Sequence, residues 1–257
     1  MKYDIQINQG AADWKTLRDA VVAAESVGFR TAWVLDHISS FGRSEVSMLE
    51  CFTALGAIAA STSSIGLGSL VANAQLRNHS LLAASATSVQ NISGGRFTLG
   101  IGAGAAPASR WGSELSELGL PPLSNVALRH ANMEKALITC RAHWSGGATN
   151  MPTPIVAPRV IVGVNSVELA LLATRCADGI NIRADHPQLE QIIGATGSHR
   201  NANPEWEVSV WAPWDPQLVN LGHFRIREWE SIGVNAVALV HFKAPRVSEI
   251  EGVNIAQ

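Results

Sequence analysis

An alternation constrains this chain more than any other feature. Short apolar runs of strand length are separated repeatedly by stretches of helical period. The pattern predicts strands at 3–7, 31–35, 64–71, 97–101, 159–164, 179–182, 206–211 and 234–241. It predicts helices at 13–27, 45–61, 80–92, 126–144, 167–176 and 222–232. In the first helix Trp14, Leu17, Val21 and Ala24 share one face. Asp13 stands where it can cap the start, and Gly28 where it can end the helix in a left-handed conformation. In the second, Leu49, Phe52 and Leu55 are spaced to face inward. Glu25-Ser26-Val27-Gly28 leads into a strand reaching Asp36-His37, and Glu230-Ser231-Ile232-Gly233 into one reaching His241. In both, the polar end lies eight residues after the glycine. Such repeated helix–glycine–strand units build a parallel sheet. Eight of them in 257 residues predict an α/β fold, a closed (β/α)8 TIM-like barrel, which typically needs ~250 residues. An open doubly wound sheet is the rival, and the strand count disfavours it. The expected organisation is one domain over 1–257, with an insertion after strand four at about 105–158.

Composition removes several function classes. Hydrophobic residues make up 47% and charged residues 16%, which is the balance of a folded chain with a sizeable core. The net charge of −2, with no basic run, argues against a nucleic-acid partner. Cys51, Cys140 and Cys176 are far apart and odd in number, so neither a disulfide framework nor a thiolate zinc site is expected. The histidines show no HExxH spacing, and no metal site is predicted. The opening MKYDIQINQG carries Asp4 where a secretion signal would turn apolar, and no apolar run nears the ~20 residues of a membrane span. A cytoplasmic protein acting on a small molecule, away from membranes, is the expectation.

In a barrel of this kind, chemistry gathers where the strands end at their carboxyl side. Strand two ends in Asp36-His37, a carboxylate beside an imidazole that it could orient for proton exchange; a capping aspartate beside a loop histidine is the plainer alternative. Strand three ends in Ser69-Leu70-Val71. Strand four runs into Gly100-Ile101-Gly102-Ala103-Gly104, where backbone can approach a flat or anionic ligand. That stretch matches a dinucleotide fingerprint only in spacing, since three βα units precede it. Strand five runs into Gly163-Val164-Asn165-Ser166. Asn165 with Glu168 three residues on is read as a capping box, whose helix N-terminus suits a phosphate. Trp211 and Trp214 could wall an aromatic ligand, and His241 ends strand eight.

Four segments carry a family resemblance: GFRTAWVLDH (28–37), IGLGSLVANAQLRNHSLLAASATSVQNISGGRFTLGIGAG (65–104), ALRHANMEKALITCRAHWSGG (127–147) and VGVNSVELALLATRCADGIN (162–181). They resemble the bacterial luciferase-like monooxygenase superfamily, including its deazaflavin branch. The resemblance implies a TIM-like barrel that holds coenzyme F420, or alternatively FMN, at its mouth and moves a hydride to or from an organic substrate, with monooxygenation as a variant. It implies Asp36 and His37 near the reactive edge of the ring; His37 is then expected to exchange a proton and Asp36 to orient it, with His241, facing the same mouth, as a second catalytic candidate. It implies Ser69, Leu70 and Val71 at a strand-three bulge with a non-proline cis peptide behind the ring. Gly102, Ala103 and Gly104 would give backbone contacts, and Gly163, Val164, Asn165 and Ser166 would hold the phosphate. The chain departs from the pattern at Gln90 and at Arg77-Asn78-His79-Ser80. It also carries Ala105 where some deazaflavin enzymes place a glutamate proton donor. That departure keeps a non-catalytic flavin- or deazaflavin-binding protein open as an alternative, beside a cofactor-free barrel lyase or isomerase. Barrels of this kind often pair, so a homodimer is among the expected states.

Overall fold

The computed structural model describes residues 1–39, 48–109, 111–147, 150–219 and 222–255. Eight strands follow in chain order: β1 (Lys2–Ile7), β2 (Thr31–Val34), β3 (Gly66–Asn73), β4 (Phe97–Gly102), β5 (Arg159–Gly163), β6 (Gly179–Arg183), β7 (Glu207–Pro213) and β8 (Ala236–His241). Each is parallel to the next, and β8 pairs with β1 from Lys2↔Ala236 to Ile7↔His241, so the sheet closes. The predicted (β/α)8 barrel is the observed fold. Its strands are nearly continuous apolar runs because both faces are covered, one by the barrel interior and one by helices.

The connecting helices are α1 (Trp14–Ser26), α2 (Cys51–Ser61), α3 (His79–Ile92), α4 (Ser113–Glu117), α5 (Val126–Trp144), α6 (Val167–Cys176), α7 (Leu189–Ala195), α8 (Gly197–Ala202), α9 (Phe224–Ser231) and α10 (Val247–Glu251). Asp13 caps α1 as expected, accepting from Thr16 N at 2.8 Å. The internal echo is real: Gly28 and Gly233 take φ of +92° and +98°, turning α1 into β2 and α9 into β8. Other boundaries move for local reasons. The helix expected at 45–61 begins at Cys51, because Glu50 is extended and caps it through Thr53 N at 2.7 Å; residues 45–47 lie outside the described residues. β3 runs on to Asn73 because a bulge between Ser69 and Ala72 restores its pairing with β4. α9 starts at Phe224 because His223 caps it through Arg225 N. The insertion after β4 contains α4 as well as the expected α5.

The amino-terminal end of the barrel is closed by charge. Arg30 Nε donates to Asp4 at 2.8 Å, while its two terminal nitrogens reach both Asp4 and Glu207. Trp33 Nε1 adds a bond to Asp4 at 3.1 Å. Both carboxylates are buried. Among the described residues no helix is long and apolar enough to cross a membrane.

Candidate active site at the carboxyl ends of the strands

The β3 bulge shapes the site. Leu70 and Val71 are joined by a non-proline cis peptide, at the position the resemblance implied. Gln6 Nε2, from β1, donates to Leu70 O at 2.5 Å and holds the turn from the barrel interior. Val71 is lodged between neighbouring strands: a methyl added at Gly102 would lie 2.6 Å from its Cγ2, and one at Gly163 would lie 2.8 Å from its Cγ1. The glycines on β4 and β5 therefore make the space that the β3 side chain fills. Ser69 is turned the other way. It is fully buried, donates to Gly100 O at 2.8 Å, and does not line the cavity above. Its expected contact with a ligand is thus corrected to a role within the barrel wall.

That cavity measures about 500 Å³ and opens at the carboxyl ends. It brings together Asp36, His37, Leu70, Val71, Gly102, Ala103, Gly104, Gly163, Val164, Asn165 and His241, all singled out from the sequence. It also draws in Gln6 and Asn8, at the end of β1, and Asn181, in the middle of β6. The strand-end rule finds Gln6 and Asn8 as soon as it is applied to β1; it does not mark Asn181. Trp111, Arg129 and His130 reach the cavity from the insertion, where no strand end marks them. Ser166 is not part of the lining. Its Oγ accepts from Leu169 N at 3.2 Å, so Ser166 is the cap of α6. The capping box expected from Asn165 is corrected by one residue, and Asn165 instead stands exposed at the cavity edge.

The Asp36–His37 pair does not work as a unit. Both oxygens of Asp36 are held by Arg77, at 2.5 and 2.7 Å, and Asn73 N donates to it at 2.9 Å. Arg77 also reaches Glu50 at the start of α2 and lies 4.9 Å over the Phe52 ring. Asp36 therefore ties the end of β2 to the loop after β3 and leaves the imidazole to another partner. That partner is Glu114 on α4, whose Oε2 lies 2.9 Å from His37 Nδ1. Its Oε1 accepts from Ser39 Oγ at 2.7 Å and from Ser39 N at 3.3 Å. Burial raises the pKa of Glu114, but the bonds from His37 and Ser39 outweigh it and hold the carboxyl below its ordinary range. The Trp111 ring packs on His37 with centroids 4.2 Å apart. A carboxylate only accepts, so Nδ1 is the ring nitrogen that donates to Glu114. The sequence gives little warning of Glu114, because a buried acid on a five-residue helix has neither period nor motif.

His241 has a different character. It is buried, stacks on Trp214 with centroids 4.2 Å apart, and its Nε2 has no hydrogen-bond partner. Burial lowers its pKa to about 4, against a weaker opposing pull from Glu249, so the ring is uncharged at neutral pH. At His130 burial, and then the neighbouring Arg129 charge, likewise lower the pKa.

Comparison with known proteins bears on this arrangement. A family model described as luciferase-like monooxygenase matches residues 2–196. The 5,10-methylenetetrahydromethanopterin reductase of Methanolobus tindarius is 28% identical over 202 residues, covering 74% of this chain and 57% of that protein. The F420-dependent glucose-6-phosphate dehydrogenase of Beutenbergia cavernae is 29% identical over 172 residues, covering 62% of this chain and 49% of that protein. The chain thus spans about half the length of these curated relatives. Among solved structures, an F420-dependent secondary alcohol dehydrogenase in complex with an F420–acetone adduct superposes with a TM-score of 0.76 at 17% identity. That match covers 98% of this chain and 97% of that one, and it supports the barrel fold.

Proposed function

Because the chain belongs to the luciferase-like monooxygenase family, we propose that it is an oxidoreductase that binds coenzyme F420, with FMN as the alternative, and acts on a small organic substrate. The observation that carries this reading is the cavity above the Leu70–Val71 turn, with His37, held from behind by Glu114, on its wall. Its volume of about 500 Å³ falls within the ~300–1,000 Å³ of small-molecule and cofactor sites. Leu70 and Val71 offer an apolar platform. Gly102, Ala103 and Gly104 line the same cavity and bring little side chain of their own. Two relatives named for F420 favour the deazaflavin over FMN.

The residues fit such a group. Leu70, Val71 and Gly102–Gly104 would support its ring, while Asn165, the capped start of α6 and Arg129 would face its anionic tail. When bound, a deazaflavin or flavin supplies the hydride-transfer chemistry. The chain supplies the rest. Glu114 fixes the ring of His37, and His37 takes or gives the proton that accompanies the redox step. Asp36 and Arg77 hold the loop after β3 in place, and so the platform. Trp111 covers one side of the imidazole and limits its contact with water.

Titration with F420 and with FMN, followed by tryptophan emission, tests the binding reading, since Trp111 and Trp211 line the cavity. Saturable quenching is expected, tighter for F420. If neither quenches, the cofactor-free lyase or isomerase reading replaces this one. His37→Gln is expected to keep F420 affinity and to slow oxidation of the reduced cofactor by organic acceptors by about 10²-fold or more. An unchanged rate would leave a non-catalytic cofactor-binding protein.

A further inference from the structure

Gln75, in the loop after β3, does not line the cavity, yet its side chain joins two parts of the wall. Its Nε2 donates to Ala103 O at 3.2 Å, and its Oε1 accepts from Leu123 N at 2.8 Å. Ala103, just after β4, lines the cavity. Leu123 lies in the segment leading into α5. Its carbonyl accepts from Arg129 Nη1 at 3.2 Å, and that of Ser124 from the same nitrogen at 3.0 Å. Arg129 lines the cavity as well. One relay of hydrogen bonds therefore runs from Ala103, through the Gln75 amide and the Leu123 peptide, to the Arg129 guanidinium. The loop that carries Gln75 is itself pinned. Gln75 N donates to Asn73 Oδ1 at 3.0 Å, Ala74 N to Gly102 O at 3.1 Å, and Asn132 Nδ2 to Ala74 O at 3.0 Å. Gly104, at φ +82°, packs against the amide, and a methyl there would run into Gln75 Nε2. On the other side, Pro121 and Pro122 have no N–H, so Leu123 N is the first backbone donor after Leu120 by which that segment can be held. A primary amide carries a donor and an acceptor on one planar group, as a carbonyl on one side and an N–H on the other require; neither a carboxylate nor a hydrocarbon offers both.

We propose that Gln75 is a positioning residue of the cofactor site, and that its amide sets the span between the wall that supports the ring and the cation that meets the anionic tail. The inference rests on the cofactor reading above, which gives those two roles to Ala103 and Arg129. Gln75 touches neither part of the ligand. It acts through Ala103 on one side and through the Leu123 peptide on the other. Without the amide, Leu123 loses its tie to the barrel, and Arg129, bonded to its carbonyl, loses its fixed distance from Ala103. The ring keeps its platform on Leu70 and Val71, which the relay does not include. The tail therefore suffers more than the ring, and this difference separates positioning from a general loss of stability.

The test is titration of tryptophan emission with F420 and with its deazaflavin fragment that lacks the phosphate-bearing tail; FMN and riboflavin form the equivalent pair. The parent is expected to bind the tailed compound at least about 10-fold more tightly than the fragment. Gln75→Met matches the side chain in length and offers neither donor nor acceptor. It should cut that preference to about threefold or less while the affinity for the fragment stays within about threefold of the parent. Gln75→Asn keeps the amide on a chain one carbon shorter, too short to bridge Ala103 and Leu123, and should act in the same direction if the methionine disturbs folding. Arg129→Met should cut the preference equally, and Gln75→Met should subtract nothing further in that background. The proposal is overturned if the Gln75 variants keep the preference of the parent, or if they weaken tailed compound and fragment alike, as a merely structural loss would. It is also overturned if Gln75→Met lowers the preference further once Arg129 is gone. A parent that binds tailed compound and fragment equally overturns it and leaves the cofactor reading standing. A parent that binds neither F420 nor FMN overturns the cofactor reading and this proposal together.

Discussion

Val71 owes its position to two residues that have no side chain. A methyl at Gly163 would come within 2.8 Å of Val71 Cγ1, and a branched valine has few rotamers into which it can retreat. Gly163→Ala should therefore cost about 1–3 kcal/mol in urea unfolding. Val71→Ala should offset part of that cost in the double variant, with a coupling of about 0.5–3 kcal/mol. Simple additivity would mean that the new methyl meets something else. At this scale the sequence was legible wherever position alone decides. Asp36, His37, Gly102, Asn165 and His241 all reach one cavity because strand ends converge in a barrel. Pairing was not legible. Neighbours in the chain suggested that Asp36 serves His37, yet Asp36 is engaged by Arg77, 41 residues on, and His37 by Glu114, 77 residues on. Which acid meets which base depends on the path of the insertion, and no local pattern records that path.

Among the elements, those with several turns of period or a continuous β-branched run were read correctly from sequence, as α1, α5, α6 and β5 illustrate. The helices α4, α7 and α8 span only five to seven residues, too short for a 3.6-residue period to declare itself. Another element-scale device is the clasp between α1 and the loop before β3. The Glu25 carboxylate accepts from Ser63 N, Ser64 N and Ile65 N at 2.8, 2.5 and 3.0 Å. Partial burial opposes its ionisation, but the backbone bonds outweigh it and bring the pKa from 4.5 down to about 2. A carboxylate depressed in the folded state stabilises fully above 4.5, and that stabilisation is lost as pH falls through about 2. Glu25→Gln should therefore lower stability by on the order of 1 kcal/mol at neutral pH. The deficit relative to the parent should shrink between pH 4.5 and pH 2 in chemical unfolding. A deficit independent of pH would assign the loss to packing.

For the whole molecule, closure of the barrel was legible because eight units and a repeated glycine hinge leave little else for the chain to form. The charge cluster at the amino-terminal end was not, since Glu207 on β7 reaches Arg30, just before β2, only once the sheet has closed through β8 and β1. Arg30→Met would leave two buried carboxylates short of their cation and should cost about 3–5 kcal/mol, read as a fall in Tm. The affinity for F420 should not change; a parallel loss of both would show that the two ends communicate. The reason to expect separation is length. A strand such as β1, Lys2–Ile7, rises about 17 Å at ~3.3 Å per residue, beyond the ~7–10 Å over which substitutions usually interact. The molecule thus divides into an anchoring pole and a reactive pole. Changes that harden one can accumulate over evolutionary time, or be engineered, without retuning the other.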